Sequence, residues 1–118
     1  MNHSICHIEI PATNLDKAVN FYKELFGWKI ETGAFPDYAT FETGEQPGGG
    51  IMKVDKVGIP QGMGMLFYIL VEEVTDYLNK AQKLGAKIIK EKTEIPGIGW
   101  FGLFSDLDGN VMGLFMSK

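Results

Sequence analysis

Residues 6–30 read CHIEIPATNLDKAVNFYKELFGWKI, and this stretch predicts a strand, a capped helix and the start of a second strand. Apolar and polar residues alternate from Ser4 to Pro11, as in a strand with one buried face. Asn14 is a favoured helix N-cap and Gly27 a favoured helix stop. Between them we expect a helix whose apolar stripe consists of Leu15, Ala18, Val19, Tyr22, Leu25 and Phe26.

The same order of elements, a strand, a helix and three strands, occurs twice along the chain. The first series is completed by expected strands at 28–32, 38–42 and 51–54, with the glycine-rich stretch 44–50 as a loop at the rim of a site. The second series has a strand at 65–71, a helix ended by Gly85, and strands at 87–90, 100–105 and 111–116. Between the last two strands, residues 106–110 predict a tight hairpin turn rather than a calcium loop, because the glycine is misplaced for calcium.

This repetition predicts the fold class. Placing His7 on Leu66 aligns the two strand–helix pairs, and both helices then stop at a glycine. We predict an α+β protein in which two βαβββ modules form one domain and mixed sheets curve around a central cavity. Module one spans about 4–54, a connector 55–64, and module two about 65–117.

Strand alternation predicts which side chains face the helices and which face the cavity. The helix-facing set is Cys6, Ile8, Ile10, Met65, Phe67, Ile69, Met112 and Leu114. The cavity-facing set is His7, Glu9, Leu66, Tyr68, Val111, Gly113 and Phe115. Cys6 is therefore expected to be a buried, inert thiol.

Composition excludes several classes of partner. The formal net charge of −4 and the absence of a basic block argue against nucleic acid. A single cysteine forms no internal disulfide, which favours the cytoplasm. No apolar stretch approaches about 18 residues, so we expect no membrane span.

Several motifs together resemble a known group of proteins. They are the spacing His7-x6-Asn14-Leu15, the pair Phe21-Tyr22 before the helix stop, the paired βαβββ order, and the closing run DLDGNVMGLF at 106–115. The chain is similar in these features to the vicinal oxygen chelate superfamily. That group includes glyoxalase I, bleomycin-resistance proteins, fosfomycin-resistance enzymes and extradiol dioxygenases. The resemblance also implies a homodimer.

The resemblance implies four metal-ligand positions, on the first and last strands of each module. They fall on His7, on Leu66, near Lys53 and on Gly113. His7 is the only one of these with a suitable side chain, whereas a catalytic metal generally needs about three protein ligands. We therefore predict no cofactor, and a divalent metal held by His7 with Glu9 is the alternative.

The leading functional hypothesis is a protein that binds a small organic molecule, flat or partly aromatic. We expect it to be bound by His7, Glu9, Tyr38, Lys53, Tyr68, Trp100 and Phe115. Lys53 should face the cavity as a cation. The alternatives are a lyase, isomerase or dioxygenase of the same superfamily, with His7 and Glu9 as candidate acid–base residues, and a structural or regulatory dimer.

Overall fold

The computed structural model describes residues 5–56 and 66–118. The chain divides into two compact units, Met1–Val57 and Gly58–Lys118. In its described residues, each unit contains one helix and one four-stranded sheet. The expected strand residues Ser4 and Met65 and the connector positions 57–64 lie outside the described residues.

The first unit has the order strand, helix and three strands. Its elements are β1 (His7–Ala12), α1 (Leu15–Phe26), β2 (Lys29–Phe35), β3 (Tyr38–Glu42) and β4 (Gly48–Lys53). The sheet order is β1-β4-β3-β2, with β1 and β4 parallel and the other pairs antiparallel. Asn14 caps α1 by accepting a hydrogen bond from the Lys17 amide, and Gly27 ends it at a φ of 71°. The predicted helix limits are thus confirmed.

The second unit repeats this plan. Its elements are β5 (Tyr68–Leu70), α2 (Val74–Lys83), β6 (Lys87–Ile95), β7 (Gly99–Ser105) and β8 (Val111–Ser117), in the sheet order β5-β8-β7-β6. The predicted pair of βαβββ modules is confirmed. Strand β6 extends beyond the predicted residues 87–90. Its pairing with β7 shifts register twice between Ile88 and Thr93, which breaks the alternation by which the sequence would have shown the longer strand.

The loop predicted at 44–50 is correct for residues 44–47 and wrong for the three glycines that follow. Gly48, Gly49 and Gly50 belong to β4, which pairs with both β1 and β3. A Cβ at Gly49 would overlap the Ile8 carbonyl oxygen and the ring of Phe41. These glycines therefore permit close packing inside a sheet, a role that composition alone does not separate from that of a loop.

Each sheet buries one face against its own helix. In the first unit this face includes Ile10, Ala39, Phe41 and Ile51, which are at most 4% exposed. In the second it includes Phe104, Met112 and Leu114. The longest helix has 12 residues, and no helix in the described part of the chain is long and apolar enough to span a membrane.

Cys6 departs from the expected burial. It is an exposed free cysteine, not a buried one. The ladder between β1 and β4 begins at His7, so Cys6 lies before the first paired residue. Strand alternation therefore does not determine its environment.

The turn after β7 is a hydrogen-bonded hairpin turn, as predicted. One carboxylate oxygen of Asp106 accepts from the Asp108 and Asn110 amides, both at 2.9 Å. The other accepts from the Asn110 side-chain amide at 2.9 Å. Gly109 has a φ of 88°, which glycine adopts without strain.

Candidate functional site

The face of the first sheet opposite α1 carries the polar side chains that matter for function. Glu9 is the register partner of Gly50, and Gly50 is the partner of Thr40. His7 and Tyr38 each lie two residues away along their own strands. Because side chains alternate along a strand, all of these positions share one face, which we call the open face.

On the open face, Tyr38 connects His7 to Glu9. Its hydroxyl oxygen lies 2.7 Å from His7 Nε2 and 2.9 Å from Glu9 Oε2. The His7 nitrogen and the Glu9 oxygen are themselves 3.8 Å apart. The direct separation is too long for a good hydrogen bond, so the hydroxyl bridges the pair.

The chemistry of the three groups sets the direction of these hydrogen bonds. An ionised carboxylate only accepts, so Tyr38 donates its single proton to Glu9. The phenol oxygen then accepts from His7, which must carry a proton on Nε2. In a neutral His7 ring, Nδ1 is left as the unprotonated nitrogen.

Tyr38 is held as a neutral phenol. Desolvation, followed by the hydrogen bond and the negative charge of Glu9, raises the pKa of Tyr38 to about 12. The side chains of His7 and Glu9 are 47% and 46% exposed. Solvent therefore reaches the group from both the His7 and the Glu9 end.

Gly50 makes this arrangement sterically feasible. A Cβ at this position would overlap the ring and hydroxyl of Tyr38. The tyrosine therefore lies across the sheet at a place where only glycine leaves room. The rings of Tyr38 and His7 are nearly parallel, at 9°, with centroids 6.4 Å apart.

A cavity of about 590 Å³ borders His7. Its walls are largely polar or charged, and include Lys29, Glu31, Thr40, Glu42 and Glu45. Lys29 Nζ and Glu31 Oε1 are 3.7 Å apart, within ion-pair distance. Of the seven predicted ligand-binding residues, His7 alone lines this cavity.

Sequence reasoning missed these walls although a signal was present. In β2 and β3 the polar wall residues alternate with the buried apolar residues Ile30, Ala39 and Phe41, of which Phe41 also borders the cavity. That alternation indicates one polar face in each strand. The expectation of aromatic walls came from counting aromatic residues near strands without assigning each to a face.

Trp100 was also placed on the wrong face. Trp100 and Gly102 are two residues apart on β7, so they share one face of the sheet. A Cβ at Gly102 would contact Val74 and Leu78 of α2. Trp100 therefore lies on the helix side of its sheet. There its ring lies 5.1 Å from the Lys92 ammonium.

Tyr68 and Phe115 lie on the face of the second sheet opposite α2, as predicted from alternation. Tyr68 pairs with Gly113, and Phe115 pairs with both Leu70 and Phe101. Tyr68 meets Phe101 edge-on, with ring centroids 6.4 Å apart. This face is apolar, in contrast to the polar open face of the first sheet.

Comparison with known proteins identifies the family. Residues 4–114 match the family model described as the glyoxalase/bleomycin resistance protein/dioxygenase superfamily. The chain belongs to this superfamily. A glyoxylase-like domain-containing protein of Didymella fabae is 32% identical over 120 residues, covering 93% of this chain and 91% of that protein.

Two further similar proteins differ in how much of their own length this chain covers. CFP32 of Mycobacterium bovis is 28% identical over 102 residues, which cover 84% of this chain but 38% of CFP32. The fosfomycin resistance protein FosX of Listeria monocytogenes has the same fold, with a TM-score of 0.80 at 22% identity, over 100% of this chain and 94% of that one.

Strand register corrects one superfamily position. Glu9 pairs with Gly50, and the matching residue of the second module, Tyr68, pairs with Gly113. Gly50 is thus the counterpart of Gly113, and Lys53 is not. Lys53 pairs with buried Ala12, which places it on the opposite face from Glu9 and not toward the cavity as predicted.

The residues present do not fit the divalent metal that this superfamily implies. Gly50 and Gly113 bring no donor side chain to their positions, and the Tyr38 hydroxyl lies between His7 and Glu9. Within residues 5–56 and 66–118, no three His, Cys, Asp or Glu side chains converge to hold an ion.

Proposed function

We propose that the chain binds a small polar organic molecule on the open face of the first sheet, beside His7. The observation that carries this proposal is the Tyr38 bridge between His7 and Glu9 at the edge of a cavity of about 590 Å³. A few convergent polar groups next to a concave space are the usual form of a small-molecule site. The volume falls in the range of about 300–1,000 Å³ that such sites have.

The wall chemistry favours a ligand that carries hydrogen-bonding groups. Thr40, Lys29 and Glu42 border the cavity, and each offers a donor or an acceptor. A purely apolar molecule would leave these groups without the water that solvates them, which costs free energy. The ligand expected from the sequence, flat or partly aromatic, should therefore also carry polar groups.

The neighbours with the same fold support a small-molecule role. A FosX variant from Listeria monocytogenes has been solved with Mn(II) and 1S,2S-dihydroxypropylphosphonic acid. That ligand is small, organic and polar. The lyase, isomerase and dioxygenase alternatives, the cytoplasmic location and the homodimer stay predictions.

An amide-resolved titration tests the proposal. The ¹⁵N-labelled chain is titrated with a library of small polar acids, alcohols and amides, and its ¹H–¹⁵N spectra are followed. We expect shifts clustered on β1, β3 and the segment 43–50, and weaker binding by His7→Gln. A ligand at 100 times its dissociation constant should also add about 2.7 kcal/mol of stability.

The matched control is Glu72→Gln in the second unit, where the Glu72 carboxylate also accepts from a tyrosine. This variant should bind the same compounds as the parent. Binding that survives His7→Gln unchanged, or shifts confined to the second unit, would contradict the proposed site.

A further inference from the structure

We infer that His7, Tyr38 and Glu9 form a proton relay that makes His7 a general base toward a carbon acid bound beside it. The inference rests on the proposed function, because the acid must first bind at the open face. Protons on oxygen or nitrogen exchange rapidly with water without help. A built relay is useful for a proton on carbon, where transfer is slow and a positioned base accelerates it.

The geometry supports transfer through the tyrosine and not directly to the carboxylate. His7 Nε2 is 3.8 Å from Glu9 Oε2, whereas the two steps through the Tyr38 hydroxyl are 2.7 and 2.9 Å. Both shorter distances are within the hydrogen-bond reach that general acid–base transfer requires. The Tyr38 oxygen accepts one proton as it gives up another, so the phenol stays neutral.

Three protons move in the step, and the net charge does not change. The substrate C–H proton moves to His7 Nδ1, and the C–H electron pair stays with the substrate. The Nε2 proton moves to Tyr38, and the Tyr38 proton moves to Glu9. His7 remains neutral throughout, Glu9 becomes neutral, and its negative charge is now on the substrate.

Two features hold the relay in place. The Tyr38 ring lies across Gly50, where no side chain displaces it. Glu9 and His7 are on the same strand with one residue between them, so strand geometry fixes their separation. Tyr38 and Glu9 act through His7 and are positioning residues; His7 is the group that meets the substrate.

The test uses a carbon acid whose reaction needs only a base. In 5-nitrobenzisoxazole, a base takes the ring C–H proton, the electron pair completes a nitrile, and the N–O bond breaks to release a coloured phenolate. We expect the parent chain to exceed His7→Gln in kcat by about a hundredfold. Tyr38→Phe and Glu9→Gln should each lower kcat about tenfold with little change in KM.

The control is Tyr77→Phe, because the Tyr77 hydroxyl also donates to a glutamate, Glu72, at 3.0 Å. This variant removes a tyrosine–glutamate hydrogen bond like that of Tyr38 and Glu9, but one that is not connected to His7. It should therefore keep the parental rate. The parental kcat should also fall in D₂O, and this solvent isotope effect should disappear in Tyr38→Phe. A loss caused by altered packing would not remove the isotope effect.

The outcomes separate this inference from the proposed function. A parental rate in His7→Gln, or a parental rate and isotope effect in Tyr38→Phe, overturns the relay. Binding of the probe seen by ¹H–¹⁵N shifts without acceleration over buffer also overturns the relay and leaves the binding site standing. Tyr38→Phe keeps the ring over Gly50, so this variant should fold.

Discussion

Tyr38 lies across Gly50 on the open face of the first sheet, in the space that a Cβ at position 50 would fill. This contact connects the packing of β3 against β4 with the hydrogen bonds that join His7 to Glu9. A residue with no side chain therefore determines where a functional hydroxyl lies.

The first prediction concerns Gly50→Ala. The added methyl group must displace the Tyr38 ring, so we expect the free energy of unfolding to fall by about 1–3 kcal/mol. Urea denaturation measures the change. In a Tyr38→Ala background the same substitution should cost much less, because the clashing ring is gone. Equal costs in both backgrounds would mean that the ring does not occupy this space.

The second prediction concerns alkaline pH. The folded chain raises the pKa of Tyr38 from 10.0 to about 12, through desolvation and then through Glu9. When folding raises a pKa, the stability that the group contributes is fully present below its unfolded pKa. It is lost as the pH rises from about 10 to 12. Urea midpoints should therefore fall across this window less steeply in Tyr38→Phe than in the parent.

Ultraviolet titration of the phenols checks the cause of this shift. Glu9→Gln removes the charge and weakens the hydrogen bond, so the pKa of Tyr38 should move down in this variant. The comparison variant is Glu72→Gln, since Glu72 raises the pKa of Tyr77 through its own hydrogen bond. If Glu9→Gln left the Tyr38 transition in place, Glu9 would not be its hydrogen-bond partner.

The third prediction concerns Glu73, which joins α2 to β6. Glu73 Oε1 accepts from Lys92 at 2.8 Å and from the Thr75 amide at 3.3 Å. The Lys92 hydrogen bond, followed by the Thr75 amide, lowers the pKa of Glu73. When folding lowers a pKa, the group contributes stability at pH values above its unfolded pKa. This contribution is lost as the pH falls through the folded pKa.

Glu73→Gln should therefore lower the melting temperature at neutral pH, and the difference from the parent should vanish in strong acid. Differential scanning calorimetry at several pH values measures this. Glu91→Gln, an exposed carboxylate nearby, should have little effect at any pH. A constant difference between Glu73→Gln and the parent at all pH values would exclude an ionic origin.

The fourth prediction concerns the turn that carries Asp106. Its buried carboxylate accepts three hydrogen bonds from residues within the turn. Asp106→Ala leaves these donors unsatisfied, so we expect a loss of about 2–3 kcal/mol in unfolding free energy. Asp106→Asn keeps one acceptor oxygen and should lose less. A neutral effect of Asp106→Ala in chemical denaturation would show that water replaces the carboxylate.

Local signals in the sequence were sufficient for the repeat and for the helices. Asn14 and Gly27 marked the ends of α1, and the apolar spacing identified Ala18, Tyr22 and Leu25 on its buried side but not Phe21. His7 and Glu9 were correctly placed together on one face of β1, because alternation along a single strand needs no partner. These features depend on interactions within a few residues.

Features that depend on pairing between strands were not accessible in this way. Lys53 was assigned to the cavity because the register of β4 against β1 was unknown, and a shift of one residue reverses the face. Trp100 was assigned to the wrong face because the pairing of β7 with β8, which puts Trp100 on the helix side of the sheet, was unknown. The triple glycine looked like a loop because its role is to admit Phe41 and Tyr38 from a neighbouring strand.

The sequence by itself determined that the chain is a repeat of two βαβββ modules, with His7 in the first strand of the first module. Capping, helical spacing and strand alternation are local and leave a readable pattern. The tertiary structure alone decided what that histidine contacts. Tyr38 is 31 positions away from His7, and only the pairing of β3 with β4 and of β4 with β1 brings its hydroxyl between His7 and Glu9.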